Sequence, residues 1–230
     1  MIDVLALRGI EARCVVVADD DNLTLARSNG LDTFERDNRW LGRKFNDGIE
    51  YALAHDAQWV VPIGSDSWID PIYFQALMPG NPRSGRSYAI VEADRMLVVS
   101  IEHVGPHVLP RHLFERSGPR PAKEQIRRGF DRSLLNAIGP VHWEMVDFHP
   151  LQYVGFRGER HITTYTKVRK FAGGSERFEP WRELAEYYDP DLVEQAQAAM
   201  AGIRRPLSFG RFDAWSVRDK LLTLLDKVRR

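Results

Sequence analysis

Two β-branched runs, each closed by an acidic loop, constrain the fold of this chain most. Residues 13–18 read Arg13-Cys14-Val15-Val16-Val17-Ala18 and stop at Asp19-Asp20-Asp21-Asn22; residues 59–63 read Trp59-Val60-Val61-Pro62-Ile63 and stop at Gly64-Ser65-Asp66-Ser67. Apolar runs without polar alternation predict strands covered on both faces, a situation created by helices packed on a largely parallel sheet. The intervening sequence supplies such helices. Residues 23–29 form a helical pattern stopped by Gly30, residues 32–36 a short strand, and residues 42–55 a longer helix with Phe45, Ile49, Ala52 and Leu53 on one face. Asp70-Pro71 then offers an N-cap and a first-turn proline for the next helix. The two runs are expected to be parallel strands of one open α/β sheet, with both acidic loops at the strand C-termini where such sheets place their ligand crevice.

Beyond this unit the pattern loosens. Residues 87–93 and 95–101 predict a hairpin turning at Ala93-Asp94, an antiparallel extension of the sheet. Residues 105–125, rich in Pro, Gly, Arg and His, read as a connection leading to a helix over 123–137, and strands are expected at 142–148 and 152–156. From residue 176 the pattern is helical: 181–188, 190–203 and an amphipathic 213–228 carrying Trp215, Leu221, Leu222, Leu225 and Val228 among basic residues. This predicts a domain over 1–170 and a helical C-terminal extension over 176–230, whose last helix packs on its own domain or forms a homodimer.

Lys+Arg and Asp+Glu balance at 32 each, which removes the broad positive field of a protein that binds nucleic acid through its phosphates. The single cysteine, Cys14, provides neither an internal disulfide nor a multi-cysteine metal site. No run approaches the roughly 20 apolar residues of a membrane span. Together these features predict a cytoplasmic protein without a membrane partner.

The chemistry-bearing residues concentrate between 16 and 71. The acidic loop at Asp19-Asp20, the helix segment Lys44-Phe45-Asn46-Asp47-Gly48 and the second acidic loop Ser65-Asp66-Ser67 resemble the family 2 glycosyltransferases of the GT-A fold, especially the short enzymes found in bacteriophage genomes. The resemblance implies a mixed sheet flanked by helices and a nucleotide-sugar donor, with a UDP-sugar favoured. It places Asp19 or Asp20 on the donor base, Lys44 and Asn46 near the nucleotide, and Ser65 and Asp66 in the element that holds Mn²⁺ or Mg²⁺ against the diphosphate. A hard divalent cation suits that task, because it neutralises the charge that grows on the leaving group. Ser67 stands where a second aspartate is usual in the family, and the chain opens on a helical segment where the family has a strand.

The same resemblance makes Asp131, in Arg127-Arg128-Gly129-Phe130-Asp131, the base that deprotonates the acceptor hydroxyl in an inverting displacement. It offers His149 as an additional metal ligand, with His161 as the competitor, and His103, His107 and His112 as lining for the acceptor pocket. The implied acceptor is macromolecular, a phage structural protein or modified DNA, in the host cytoplasm if the chain is phage-encoded. The alternative from another class is a non-catalytic interaction protein on a degenerate GT-A fold.

Overall fold

The first β-branched run becomes β1 (Val15–Ala18), which pairs in parallel with β2 (Asp32–Glu35) by way of helix α1 (Asp20–Ser28). The computed structural model describes residues 9–37, 39–64, 66–74, 81–127, 129–147, 149–157 and 174–201, together with Ala6, Thr166, Val168 and Arg169. Leu23 and Ala26 bury the inner face of α1, and Gly30 ends the turn beyond it at φ 70°, a backbone state that costs a glycine little. Helix α2 (Leu41–Ala54) lies across β1 closely enough that a Cβ on Gly48 would rest 3.4 Å from Val17.

The second run behaves differently from the expectation. Regular strand β3 covers only Trp59–Val60, shortened ahead of Pro62, which has no N–H to contribute to a ladder. It pairs antiparallel with the far end of a long strand, Trp59 opposite Pro110 and Val60 opposite Leu109. The two β-branched runs are therefore not hydrogen-bonded neighbours; β1 joins β2, and β3 joins the larger sheet.

That larger sheet is organised by the hairpin of β5 (Arg83–Glu92) and β6 (Arg95–Pro110), which turns at Ala93-Asp94 with Ala93 at φ 57°. Pairing steps from Ser87–Ser100 to Gly85–Val104 to Arg83–Val108, so β6 takes four residues where β5 takes two at each step. These bulges absorb Gly105-Pro106 and let the strand continue through a segment whose composition suggests irregular chain. Strand β4 (Ser67–Ile69) pairs antiparallel with β8 (Tyr153–Phe156); β8 and β7 (Glu144–Val146) both run parallel to β5. Among the described residues the order is β3-β6-β5-β8-β4, with β7 on β5 and β9 (Ser175–Phe178) on β6.

Alternate residues of β5 serve opposite faces, as the pleat dictates. Ala89 and Val91 join Met96, Leu151, Val154, Leu184 and Val193 in one buried cluster, while Ile90 joins Leu97, Val99 and Val168 in another. A third cluster packs α2, α3 (His112–Ser117) and α4 (Phe130–Ile138) against β3 and β6 through Ile49, Leu109, Phe114, Phe130 and Leu134. The architecture is an α/β mixed sheet flanked by helices.

Two further differences from the sequence reading lie in the second half of the chain. The helix expected from 123 begins at Phe130, because backbone groups of 122–126 are bonded to α2 instead. The helical extension opens with a strand, β9, and α5 (Pro180–Leu184) and α6 (Pro190–Ala201) bury Leu184 and Val193 against the sheet. Residues 174–201 thus pack as part of the sheet's own body. The expected helix over 213–228 lies outside the described residues. Among the described residues, no helix is long and apolar enough to cross a membrane.

Candidate functional site

The first turn of a helix leaves backbone N–H groups without intrahelical partners. In α2 they are taken by the segment that leads into α4: Gly42 N–H donates to the Ile126 carbonyl and Arg43 N–H to the Glu124 carbonyl, both at 3.2 Å. Gly42 permits this approach, since a Cβ there would stand 1.9 Å from the Lys123 carbonyl oxygen. Asn46, fully buried, completes the seam. Its amide donates to the Ala122 carbonyl at 2.7 Å and to Glu124 at 2.9 Å, and its oxygen accepts from Ala122 N–H at 3.0 Å. Asn46 is thereby committed to holding 122–124 rather than presented to a ligand.

One residue further along α2, the buried Asp47 carboxylate receives Arg36 and Arg120, and Arg120 also pairs with Glu50 and Glu124. Burial alone would raise the Glu124 carboxyl, but the hydrogen bonds from Asn46 and Arg120 outweigh it and hold the group below its ordinary value. Phe45 stacks on Phe130 with centroids 3.9 Å apart. The start of α4, which carries Asp131, is consequently fixed against the start of α2, which carries Lys44. A cleft of about 460 Å³ opens beside this network between Phe34, Arg36, Tyr51 and Arg120. Two of its guanidiniums, Arg36 and Arg120, already hold Asp47.

Asp19 is the residue before α1, extended at φ −80° and ψ 170°, and its side chain does not cap the helix. It faces Lys44. Burial lowers the Lys44 amine from its ordinary value, against the opposing pull of Asp19 and Asp37. The structure therefore brings Asp19 and Lys44 together and adds Asp37, an acid two residues beyond β2 that the sequence reading passed over. A third acidic loop after a strand was the signal for it. Trp40 stands nearby in sequence, with the guanidiniums of Arg39 and Arg127 at 4.8 and 5.0 Å from its ring. Asp20 opens α1, and neither its side chain nor Ser65 lies among the described residues. The Lys44 amine is expected to titrate below the ordinary lysine value of about 10.4. The midpoint of its reductive-methylation rate against pH would report this independently of how accessible the amine is, and a midpoint at or above the ordinary value would contradict the described environment.

Asp66 and Asp131 both lie within electrostatic reach of Tyr153, one of two neighbouring tyrosines. Phe156 N–H donates to the Asp66 carbonyl at 2.7 Å and Arg157 N–H to the Val91 carbonyl at 2.8 Å, so the end of β8 is clamped between β5 and the Asp66 loop. There the Arg157 guanidinium forms an ion pair with the Asp66 carboxylate, and the Ser67 hydroxyl donates to the other Asp66 oxygen at 3.3 Å. Burial pushes the Tyr153 phenol up; a hydrogen bond shared with Ser67 and the charge of Arg157 oppose the rise, while Asp131 and Asp66 add to it. Burial likewise pushes Tyr88 up to about 12, with Arg157 opposing and Tyr153 and Asp131 reinforcing. The two rings lie 5.8 Å apart. Asp131, exposed in the first turn of α4, thus shares an electrostatic neighbourhood with Asp66 although 65 positions of sequence separate them. Tyr88, Tyr153 and Arg157 escaped the sequence reading, because an aromatic in a strand and an arginine at its end carry no motif.

In this structure Asp66 and His149, the residues expected at a divalent cation, have other partners. Asp66 is already paired with a guanidinium. His149 accepts from Leu151 N–H at 3.4 Å as the cap of the 3₁₀ turn Pro150–Gln152, and its ring stacks on Tyr187 at 4.7 Å. Among the described residues, no three His, Cys, Asp or Glu side chains gather in a set fit for a metal ion. His107 is buried against Ser84 at 3.2 Å and near Trp143, whereas His112 is exposed at the start of α3. His161 and the side chain of His103 lie outside the described residues. No protein-family model, curated protein or solved structure matches the chain.

Proposed function

We propose that this chain transfers a sugar from a nucleotide-diphosphate donor to a hydroxyl of a macromolecular acceptor, on a GT-A-type sheet. The observation that supports the reading best is the Asp66–Arg157 ion pair at the end of β8, with the exposed Asp131 carboxylate within electrostatic reach of the neighbouring Tyr153 as a candidate base. Asp19 and Lys44 offer a second polar group, at the end of β1 and the first turn of α2, suited to the donor's base and ribose. In the proposed reaction the acceptor oxygen bonds to the anomeric carbon as the bond from that carbon to the diphosphate breaks. The electron pair leaves with the nucleoside diphosphate and the hydroxyl proton passes to Asp131. An in-line displacement of this kind needs one base, correct positioning and a place for the leaving charge.

Thermal unfolding against UDP, dTDP, GDP and their sugar conjugates, with and without Mn²⁺, tests the donor site. A ligand of the native state stabilises by mass action, about 2.7 kcal/mol at one hundred times its dissociation constant. One nucleoside diphosphate is expected to raise Tm above the rest. A well-folded sample that responds to none of them would remove the transferase reading in favour of an interaction protein.

A further inference from the structure

The Asp66–Arg157 pair is built into the backbone around it. The guanidinium lies directly over Gly155, where a Cβ would stand 2.9 to 3.1 Å from its atoms, and Asp66 Oδ1 occupies the space that a Cβ on Gly64 would enter at 2.6 Å. Two glycines on two different segments make room for one ion pair. The pair is also incomplete as a closed structural bridge. Nη1 of Arg157 serves both Asp66 and the Phe156 carbonyl at 3.0 Å, while Nε is buried and, among the described residues, meets no hydrogen-bond partner. A guanidinium carries five N–H donors in a planar fork that matches phosphate oxygens, and a buried donor left unmatched is costly. Asp66 remains about a quarter exposed and Arg157 half as much, so an anion can reach the pair from the solvent side.

We infer that Arg157, seated over Gly155 and paired at rest with Asp66, is the cation that receives the donor's diphosphate, in the place where a divalent metal would otherwise stand. The inference rests on the donor reading above. As the anomeric C–O bond breaks, the electron pair stays on the β-phosphate oxygen, and the fixed guanidinium meets that charge without a metal ion. Asp66 is then the resting counter-ion of Arg157, with which the diphosphate competes, and does not ligate a cation. The two roles give opposite expectations for Asp66→Asn: a lost metal ligand abolishes diphosphate binding, whereas a released guanidinium preserves or strengthens it.

The experiment is calorimetric titration of EDTA-dialysed protein with UDP, dTDP and GDP, each beside its bare nucleoside, and then again with Mn²⁺ added. The tightest diphosphate is expected to bind equally in both conditions. Arg157→Met is expected to lower its affinity roughly tenfold to a hundredfold, the value of a charge-assisted contact, without changing affinity for the nucleoside, which also shows that the variant is folded. Gly155→Ala, which displaces the guanidinium, is expected to act in the same direction, and Asp66→Asn is expected to bind at least as well as the unsubstituted chain. Binding that appears only with Mn²⁺, is lost in Asp66→Asn and is unchanged in Arg157→Met would overturn the inference and leave the donor reading standing. Binding of no nucleotide in either condition would overturn both.

Discussion

Asp131→Asn is expected to slow sugar transfer by roughly 10²- to 10⁴-fold, the range that a positioned general base contributes, while nucleoside diphosphate affinity stays unchanged. Asparagine keeps the shape of the side chain and removes its ability to take a proton. The exposed position in the first turn of α4 makes the structural cost small: the lost interaction of a carboxylate with the helix N-terminus amounts to about 0.3–1 kcal/mol. A variant that loses turnover with little change in Tm therefore separates chemistry from folding. Turnover can be followed as nucleoside diphosphate released from the nucleotide sugar with water as the acceptor, before the natural acceptor is known. Near-normal release by Asp131→Asn would take the residue out of the reaction.

The second large effect is on stability, at the seam between α2 and the 122–126 segment. Asn46→Ala strands the N–H and carbonyl of Ala122, and unmatched buried polar groups cost about 1–3 kcal/mol each. A loss of about 3 kcal/mol, read from urea unfolding, is the expected result. Asn46→Asp sharpens the comparison, because it keeps an acceptor for Ala122 N–H but sets a buried carboxylate against Glu124 and the Ala122 carbonyl. Burial and the like charge raise such a carboxyl above its unfolded value. Its neutral form is then the one the fold tolerates, so this variant should recover stability as pH falls towards the unfolded carboxyl value and lose it as pH rises. Gly42→Ala attacks the same seam by sterics, since its Cβ would collide with backbone rather than with a side-chain tip that can swing away. Each of these changes also loosens the segment that sets Asp131, so reduced turnover should accompany the lost stability. Unfolding curves indistinguishable from those of the unsubstituted chain would show that the seam is not the fastening the geometry describes.

Elements whose evidence lies within a few residues were readable from the sequence. The run at 13–18 became β1, the apolar period of 42–55 became α2, Gly30 ended α1, and the hairpin turned at Ala93-Asp94. Each depends on local quantities: β-branching, helical period, a residue that tolerates positive φ. The acidic loops were visible for the same reason, as short polar stretches that interrupt buried strands. The helix boundary before Phe130 was not legible, because residues 122–126 have adequate local propensity and are drawn away from helix only by bonds to Gly42, Arg43 and Asn46, some eighty positions earlier.

Strand partnership and the composition of the site belong to the same non-local class. A period-two or apolar pattern says that a strand is buried but not which neighbour buries it, so nothing in residues 59–63 announces that β3 pairs with the end of β6 instead of with β1. Arg157 is one of many arginines in the sequence; its meaning comes from β8 ending beside the Asp66 loop with glycines at 64 and 155 leaving room for the ion pair. Local chain chemistry thus settled which segments are strands, helices and acidic turns. Tertiary packing decided which carboxylate meets which cation, because charge–charge distances depend on strand order and sheet register, which are set by the summed burial of the whole core.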